Sequence, residues 1–339
     1  MVLILGDRDI RQCMNMPEAI AAIENMCRDQ AEGKALLAGR VNLTLPNGWI
    51  RLMPGALISS SVLGYKEFHL TSLADAAKPT AHVRYAYHLF DYRSGELLAM
   101  MDADYITFMR TAAASGAAMK RLARADATIL GIIGSGAEAR SHLEAAIAVR
   151  PISTARVFSR QACRRERFAD EMSKRFNIEI RPMDRLETTV EGADIVIIGT
   201  NTGGTGPAIT ARSFMSAARG IHINSIGSTL PTQRELGADV WSLADRIVVD
   251  SRRLLTESGD GIAAMQEKTV DEQKLIGLHD VVAERVPGRC TAAEATLYKS
   301  IGTGLQDIAV AYAVYRQAEA HGLGQKIDGF QSIKTVEPN

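Results

Sequence analysis

Gly131-Ile132-Ile133-Gly134-Ser135-Gly136-Ala137-Glu138-Ala139-Arg140 is the stretch on which the reading of the fold turns. The apolar run Ala127-Thr128-Ile129-Leu130 before it reads as a buried strand, and Ser141-His142-Leu143-Glu144-Ala145-Ala146-Ile147 after it reads as a helix. A glycine turn between strand and helix is the setting in which a G-x-G-x-x-A pattern becomes a dinucleotide-binding loop. Gly134 permits the tight turn, Gly136 has no β-carbon to hold a pyrophosphate away, and Ala139 lets the helix pack close to the strand. Unpaired amides at the helix N-terminus then face the phosphates. By itself the pattern also serves as a plain structural turn, so the surrounding sequence has to decide.

Downstream, Thr154-Ala155-Arg156-Val157-Phe158 reads as a second strand ending in Ser159-Arg160, with a charged helix starting near Arg164. Ile178-Glu179-Ile180-Arg181 is a third strand, and 193–200 a fourth, bounded by Asn201-Thr202-Gly203-Gly204. Strands over 220–227 and 246–250 follow. Short apolar runs alternating with helical stretches predict an α/β fold with a doubly wound parallel sheet. Gly199 and Gly227, at two strand ends, then fall on the carboxyl edge of that sheet, where ligands bind.

Upstream the pattern changes. A helix over 17–26 carries Pro17 in its first turn. Strands over 41–45, 49–53, 62–70 and 83–90, the last turned by 91–95 into 96–101, give an α+β region of mostly antiparallel character. A helix over 105–124 leads into the second region. At the far end, 296–321 reads as one long helix, with Ile301, Leu305, Ile308, Val310, Ala311 and Val314 as its apolar residues, returning to pack on the first region.

The 339 residues suit two domains. Lysine plus arginine equals aspartate plus glutamate, 39 each, so the chain makes no electrostatic case for nucleic acid or an anionic membrane. Cys13, Cys27, Cys163 and Cys290 are dispersed, form no C-x-x-C pair and read as free thiols of a reducing compartment. With no leader pattern and no membrane-length apolar run, the expectation is a soluble, cytoplasmic protein. Nucleophile-elbow, H-E-x-x-H and Walker A patterns are missing. His69, His82, His88, His142, His222, His279 and His321 do not cluster at ligand spacing, so no metal site is expected. The chemistry is then that of an organic cofactor, with the protein supplying position and charge.

Several segments together resemble the ornithine cyclodeaminase/μ-crystallin family, from residue 5 to residue 325. They are Leu52-Met53-Pro54, Gly64-Tyr65-Lys66, Asp91 to Gly95 with Leu98-Ala99, and Asp102-Ala103 with Ile106-Thr107. Arg110-Thr111-Ala112-Ala113 ahead of the Gly134 loop, Gly227 to Leu236, and 296–302 with Gln306-Asp307 complete the set. The resemblance implies a homodimer. Residues 1–115 would bind substrate and pair subunits, 116–305 would be a Rossmann-type NAD(P) domain, and 306–339 would return to the first domain. It also implies that Arg40, Lys66 and Arg110 hold a substrate carboxylate and that Met53 lines the substrate site. Cofactor contacts are implied for His82, Thr111, Gly134, Ser135, Gly136, Ala137, Glu138, Ser159, Arg160, Thr200, Asn201, Ser225, Ile226, Gly227 and Ser300. A forked guanidinium fixes a carboxylate's orientation as well as its charge, which suits such a cluster. For Arg40 alone, a solvated surface pair is the competing reading.

Members of the family run several reactions on the α-carbon of amino or imino acids, and particular residues select among them. Lys66 sits in an apolar strand, where an unpaired ammonium is costly. Burial and neighbouring cations would depress its pKa and make it a proton donor near neutrality. The competing role is a carboxylate anchor without proton transfer. Thr229 stands where the cyclodeaminases resembled here carry a catalytic aspartate, and a threonine is no base near neutral pH. The expected function is therefore an NAD(P)H-dependent reductase of a small α-imino or α-keto acid, reversible as an amino-acid dehydrogenase. The alternatives are a cyclodeaminase-type lyase with recycled NAD+ and a non-catalytic binder of NADP or another small ligand.

Ser159-Arg160, where an acidic residue would bind the ribose hydroxyls of NAD, favours NADP(H), with NAD(H) also admitted. Arg164 and Arg165 add charge nearby. Arg51 occupies a position that is glutamate in the cyclodeaminases and shares a strand face with Met53. It would repel a dibasic substrate and attract a distal carboxylate, or else turn outward to an acidic partner at a dimer surface.

Overall fold

The computed structural model describes residues 1–73, 80–200 and 206–334, and the chain forms two compact units. One comprises Met1–Arg110 together with the segment from Thr303 on, the other Thr111–Gly302. These divisions fall a few residues ahead of the sequence-based boundaries at 115/116 and 305/306.

The first unit contributes β1 (Val2–Leu5), β2 (Ala35–Leu37), β3 (Val41–Leu45), β4 (Gly48–Leu57), β5 (Val62–Leu73), β6 (Thr80–Asp91) and β7 (Leu97–Asp102), with buried and half-buried residues alternating along β7 and the end of β4 while β3 is exposed throughout. The second unit contributes β8 (Ile129–Ile133), β9 (Thr154–Phe158), β10 (Glu179–Met183), β11 (Ile195–Ile198), β12 (His222–Ser225), β13 (Arg246–Val249), β14 (Ile276–Gly277) and β15 (Thr296–Lys299). The last strand, β16 (Gln325–Ile327), returns to the first sheet.

The first sheet runs β16-β1-β7-β6-β5-β4-β2, with β3 on β4, and only β1–β7 is parallel among the described pairings. Helices Met16–Ala31 and Gly304–His321 pack together, and the second lies on β4 and β5. Ile23, Leu89 and Ile308, all wholly buried, are part of the core between these layers, each stabilising by about 1.5–3 kcal/mol. Helix Gly304–His321 starts where glycine permits a close approach. A β-carbon on Gly304 would come 2.4 Å from the Pro54 carbonyl oxygen, so the helix start rests directly on the β4 backbone. Thr303 and Gln306 form its capping box, and such caps contribute about 1 kcal/mol.

The second sheet runs β10-β9-β8-β11-β12-β15-β13-β14 and is parallel throughout. Its first five strands stand in the order 3-2-1-4-5, the doubly wound arrangement that the alternating sequence predicts. Strands β11, β12 and β15 are buried at every residue, as strands covered on both faces are.

One expectation fails here. Residues 296–321 are not one helix, because Thr296–Lys299 is strand β15, paired with β12 and β13 in the middle of the sheet. The chain breaks after it. The Asp250 carboxylate accepts from the amides of Ile301 (3.1 Å) and Gly302 (2.8 Å), Gly302 turns with φ +78°, and Thr303 caps the helix. Apolar residues before and after this break blend in the sequence, so periodicity alone could not separate strand from helix.

Among the described residues no helix is long and apolar enough to cross a membrane, and no group of metal-ligating side chains gathers. All four cysteines are free thiols.

Candidate active site

In the second unit the neighbouring strands β8 and β11 end side by side at Ile133 and Ile198, the point where strand order reverses. Gly134 turns the chain there with φ +115°, and a β-carbon on it would come 2.3 Å from the Gly199 carbonyl oxygen. Gly136 is the N-cap of helix Ala137–Val149, offers no side-chain cap to the first-turn amides, and has open space where a β-carbon would stand. A cavity of about 420 Å³ opens at this point, lined among others by Gly134, Ser135, Gly136, Ser159, Arg160 and Thr200. Uncapped amides, a bare glycine cradle and adjoining space fit the pyrophosphate of a dinucleotide.

The residues after β9 line the same cavity. The Ser159 carbonyl accepts from Arg165 Nη1 at 3.1 Å, and the Ser159 hydroxyl donates to the Gln161 carbonyl at 3.2 Å. Arg160 and Arg164 are exposed and line the same cavity, and no carboxylate lines it among the described residues.

The other cofactor candidates are placed differently. Ala137 and Glu138 form the first turn of the helix, and Glu138 stands beside the buried His142, whose Nδ1 lies 2.7 Å from the Glu138 carbonyl oxygen. Ser225, Ile226 and Gly227 follow one another at the end of β12, and Ser300 follows β15, with its amide donating to the Ser225 carbonyl. Thr111 is buried on helix Asp104–Leu122. His82 is an exposed residue of β6 in the first unit, and Asn201 lies outside the described residues.

A cluster that no motif announced joins these strand ends. Glu235 accepts from the amide and hydroxyl of Thr200, the Ser225 hydroxyl at 3.0 Å and the Gly227 amide at 2.7 Å. Lys299 lies 3.1 Å from Asp260 Oδ2 and donates to the Gly227 carbonyl. Asp260 Oδ1 in turn accepts from the amides of Glu235 and Leu236. All three charged side chains are sealed from water. Burial pushes the Glu235 carboxyl above its ordinary range, Lys299 opposes this, and Asp260 reinforces it. The resemblance quoted the segments that hold Glu235 and Lys299 without giving either a role, and the reading of 296–321 as a helix hid that Lys299 lies in a strand. Thr229, the position that departs from the cyclodeaminases, is half-buried and donates its amide to Gln233 Oε1.

In the first unit, strand register sets a row of side chains on one face. Met53 stands opposite Lys66, and Arg51 opposite Phe68, across β4 and β5. Lys66 and Phe68 stand opposite Tyr87 and Tyr85 on β6. Directly opposed residues share a sheet face, so Arg51, Met53 and Lys66 project to the same side. Arg51 Nε donates to Asn42 at 2.8 Å, and its guanidinium lies 4.9 Å from the Trp49 ring centre.

Lys66 is wholly buried. Its Nζ donates to Asp307 Oδ1 at 2.9 Å and to the Thr107 hydroxyl at 3.3 Å. Arg110 Nε lies 3.0 Å from the same Asp307 oxygen, and Arg110 Nη1 donates to Gln306 at 3.0 Å. Burial lowers the Lys66 ammonium to about 8, Asp307 opposes the shift, and Arg110 and Arg40 add to it. Arg40, half-buried just before β3, thus acts on Lys66 through its charge. Asp307 was quoted in the resemblance without a role. It is the residue on which Lys66 and Arg110 converge, and 241 positions separate it from Lys66, beyond the reach of any local pattern.

The sequence profile of the Ornithine cyclodeaminase/mu-crystallin family matches residues 2–322. Three solved structures align along nearly the whole chain. The Thermococcus litoralis Delta(1)-pyrroline-2-carboxylate reductase in complex with NADH and L-proline is 34% identical, with a TM-score of 0.87, covering 96% of this chain and 100% of that one. An archaeal alanine dehydrogenase dimer with bound NAD is 30% identical, with a TM-score of 0.87 and coverage of 97% and 99%. The iminosuccinate reductase of Paracoccus denitrificans in complex with NAD+ is 26% identical, with a TM-score of 0.85 and coverage of 96% and 99%. A glycine cradle at the switch point of one sheet, a buried lysine facing an arginine in the other, and these full-length likenesses agree: the chain belongs to the ornithine cyclodeaminase/mu-crystallin family, in its imino-acid reductase and dehydrogenase branch.

Proposed function

We propose that the protein is an NAD(P)-dependent oxidoreductase that reduces a small α-imino or α-keto acid at its α-carbon and runs in reverse as an amino-acid dehydrogenase. The observation that carries this reading is the buried group of Lys66, Arg110 and Asp307, two cations around one carboxylate. Such a group has a net positive charge to offer a substrate carboxylate. A bound nicotinamide dinucleotide supplies the hydride. Arg110 and Arg40 hold the carboxylate, Met53 flanks it, and Lys66 Nζ donates a proton to the substrate nitrogen or oxygen. A lysine brought down to about 8 is an acid matched to that task. The glycine cradle with Ser135, Ala137 and Glu138 holds the pyrophosphate side of the dinucleotide. Thr111, Thr200, Ser225, Ile226, Gly227 and Ser300 complete its contacts.

The cyclodeaminase alternative is disfavoured by Thr229, which offers no carboxylate base. Ser159, Arg160 and Arg164 at a cavity without a carboxylate favour NADP(H) over NAD(H), since a guanidinium pairs with the 2′-phosphate. Arg51, on the face of Met53 and Lys66, favours a neutral or acidic substrate side chain over a dibasic one. The likeness to an iminosuccinate reductase supports a distal carboxylate. The likeness to a dimeric alanine dehydrogenase supports a homodimer formed through the first unit. Four free thiols support a cytoplasmic enzyme.

The deciding experiment is a panel of cyclic imines and of keto acids with ammonia or methylamine, each assayed with NADPH and NADH. Stoichiometric NAD(P)H oxidation with an imino or keto acid is the expected result. Turnover of ornithine without net cofactor consumption would establish the lyase instead, and a clear preference for NADH would remove the role given to Arg160.

A further inference from the structure

We infer that Asp307 is a positioning residue: it joins Lys66 and Arg110 into one rigid anion-binding unit and holds the lysine charged for its task. The inference rests on the proton-donor reading of Lys66 and deepens it. Asp307 contributes a single oxygen, Oδ1, that meets both cations at 2.9 Å and 3.0 Å. Its other oxygen is buried and makes no hydrogen bond. The lysine is also short of partners. A protonated Nζ has three hydrogens, and Asp307 and Thr107 accept two, leaving one N–H for a ligand.

The charges around Lys66 can be named element by element. Asp307 comes from helix Gly304–His321 and Arg110 from helix Asp104–Leu122. Arg40 acts from the segment before β3, and Tyr85 and Tyr87 stand on β6, with Nζ 5.6 Å from the Tyr85 ring centre. Among the described residues Asp307 is the carboxylate that meets both Lys66 and Arg110. Without it Lys66 and Arg110 would face each other out of water. With it, Lys66 and Arg110 keep a surplus that one substrate carboxylate can balance. The backbone explains its placement: Gly304 lets the helix start sit against β4, and the capping residue Gln306 fastens Arg110 from the same turn.

Asp307→Asn tests this. Removing the negative charge lowers the lysine's proton affinity, so the alkaline limb of kcat/KM should move to lower pH by about one unit, roughly a tenfold loss on that limb. Cofactor affinity should stay as in the wild type, and Asp307→Glu should return the limb toward its original position. A limb that does not move in a variant that binds cofactor normally overturns the inference. Lys66→Met, measured alongside, keeps the two readings apart. If it retains substantial turnover, the proton-donor reading fails, and with it the inference in this form. If Asp307→Asn does not fold, the double variant Lys66→Met/Asp307→Asn, which removes both charges, is expected to restore a cooperative melt. Failure to do so would show that the two residues are not coupled and would overturn the inference.

Discussion

Among the described residues each unit buries one lysine completely, and the two are surrounded on opposite plans. Lys299 stands between two carboxylates, Glu235 and Asp260, that also accept from a set of backbone amides and hydroxyls. Lys66 shares one carboxylate with an arginine and keeps an N–H without an acceptor. The first arrangement has its charge covered and its donors spent, so it stabilises the strand ends around Thr200 and Gly227. The second carries a surplus of positive charge in a dry setting, so it has binding capacity left over. Buried charges without full compensation are expensive and tend to mark function, whereas compensated ones tend to mark architecture.

Substitutions can break this comparison. Lys66→Met is expected to lower turnover by roughly 10²–10⁴-fold, the contribution of a placed proton donor, with cofactor affinity by fluorescence titration unchanged. Turnover near wild type would place Lys66 with Lys299 as architecture. Lys299→Met leaves two sealed carboxylates without their cation, at a cost on the order of 3–5 kcal/mol, to be seen as a lower melting temperature. The alkaline limb of its pH profile should stay where the wild type has it. If the melt were unchanged and the limb moved, the two lysines would have exchanged roles.

Smaller effects sharpen the contrast. Arg51→Glu should shift the ratio of kcat/KM for acidic against basic substrates by about tenfold toward the basic ones, since one reversed charge near the site is worth about 1.4 kcal/mol. A wild type that already works best on a dibasic amino acid would refute the charge argument. The subtlest difference lies in pH. Lys66 acts in its protonated form and sits at about 8 in the free protein, so kcat/KM should fall as pH rises through 8. A bound substrate carboxylate favours the ammonium, so the corresponding limb of kcat should lie at higher pH. Coincident limbs would mean that no anion binds against Lys66.

The sequence was most legible where function is local. The glycine turn and the alternation of strands and helices each act within a few residues of themselves, and periodicity or a motif exposes them. Lys66 stood out as a cation in an apolar strand, and the family resemblance paired it with Arg110. What stayed hidden were the partners. Asp307 reaches Lys66 because Gly304 lets a distant helix start touch β4, and Glu235 reaches Thr200 and Gly227 through the close packing of parallel strand ends. Neither relation has a spacing that could be read. The misreading of 296–321 has the same origin. Thr296-Leu297-Tyr298-Lys299 becomes a strand because β12 and β13 stand ready on both sides, which is a tertiary fact.

The order in which the ribosome delivers these parts follows from the return of the chain to its first sheet. Lys66 is synthesised 241 residues before Asp307, and β16, the neighbour of β1, comes later still. At about 5–20 residues per second, the strand bearing Lys66 waits roughly 10–50 s for its counter-ion. The second sheet waits almost as long, because its middle strand β15 is made just before Asp307, while the first unit holds an ammonium that is better left in water. A message truncated ahead of Asp307 therefore yields a first unit obliged to remain open, and one truncated ahead of β15 leaves both sheets incomplete.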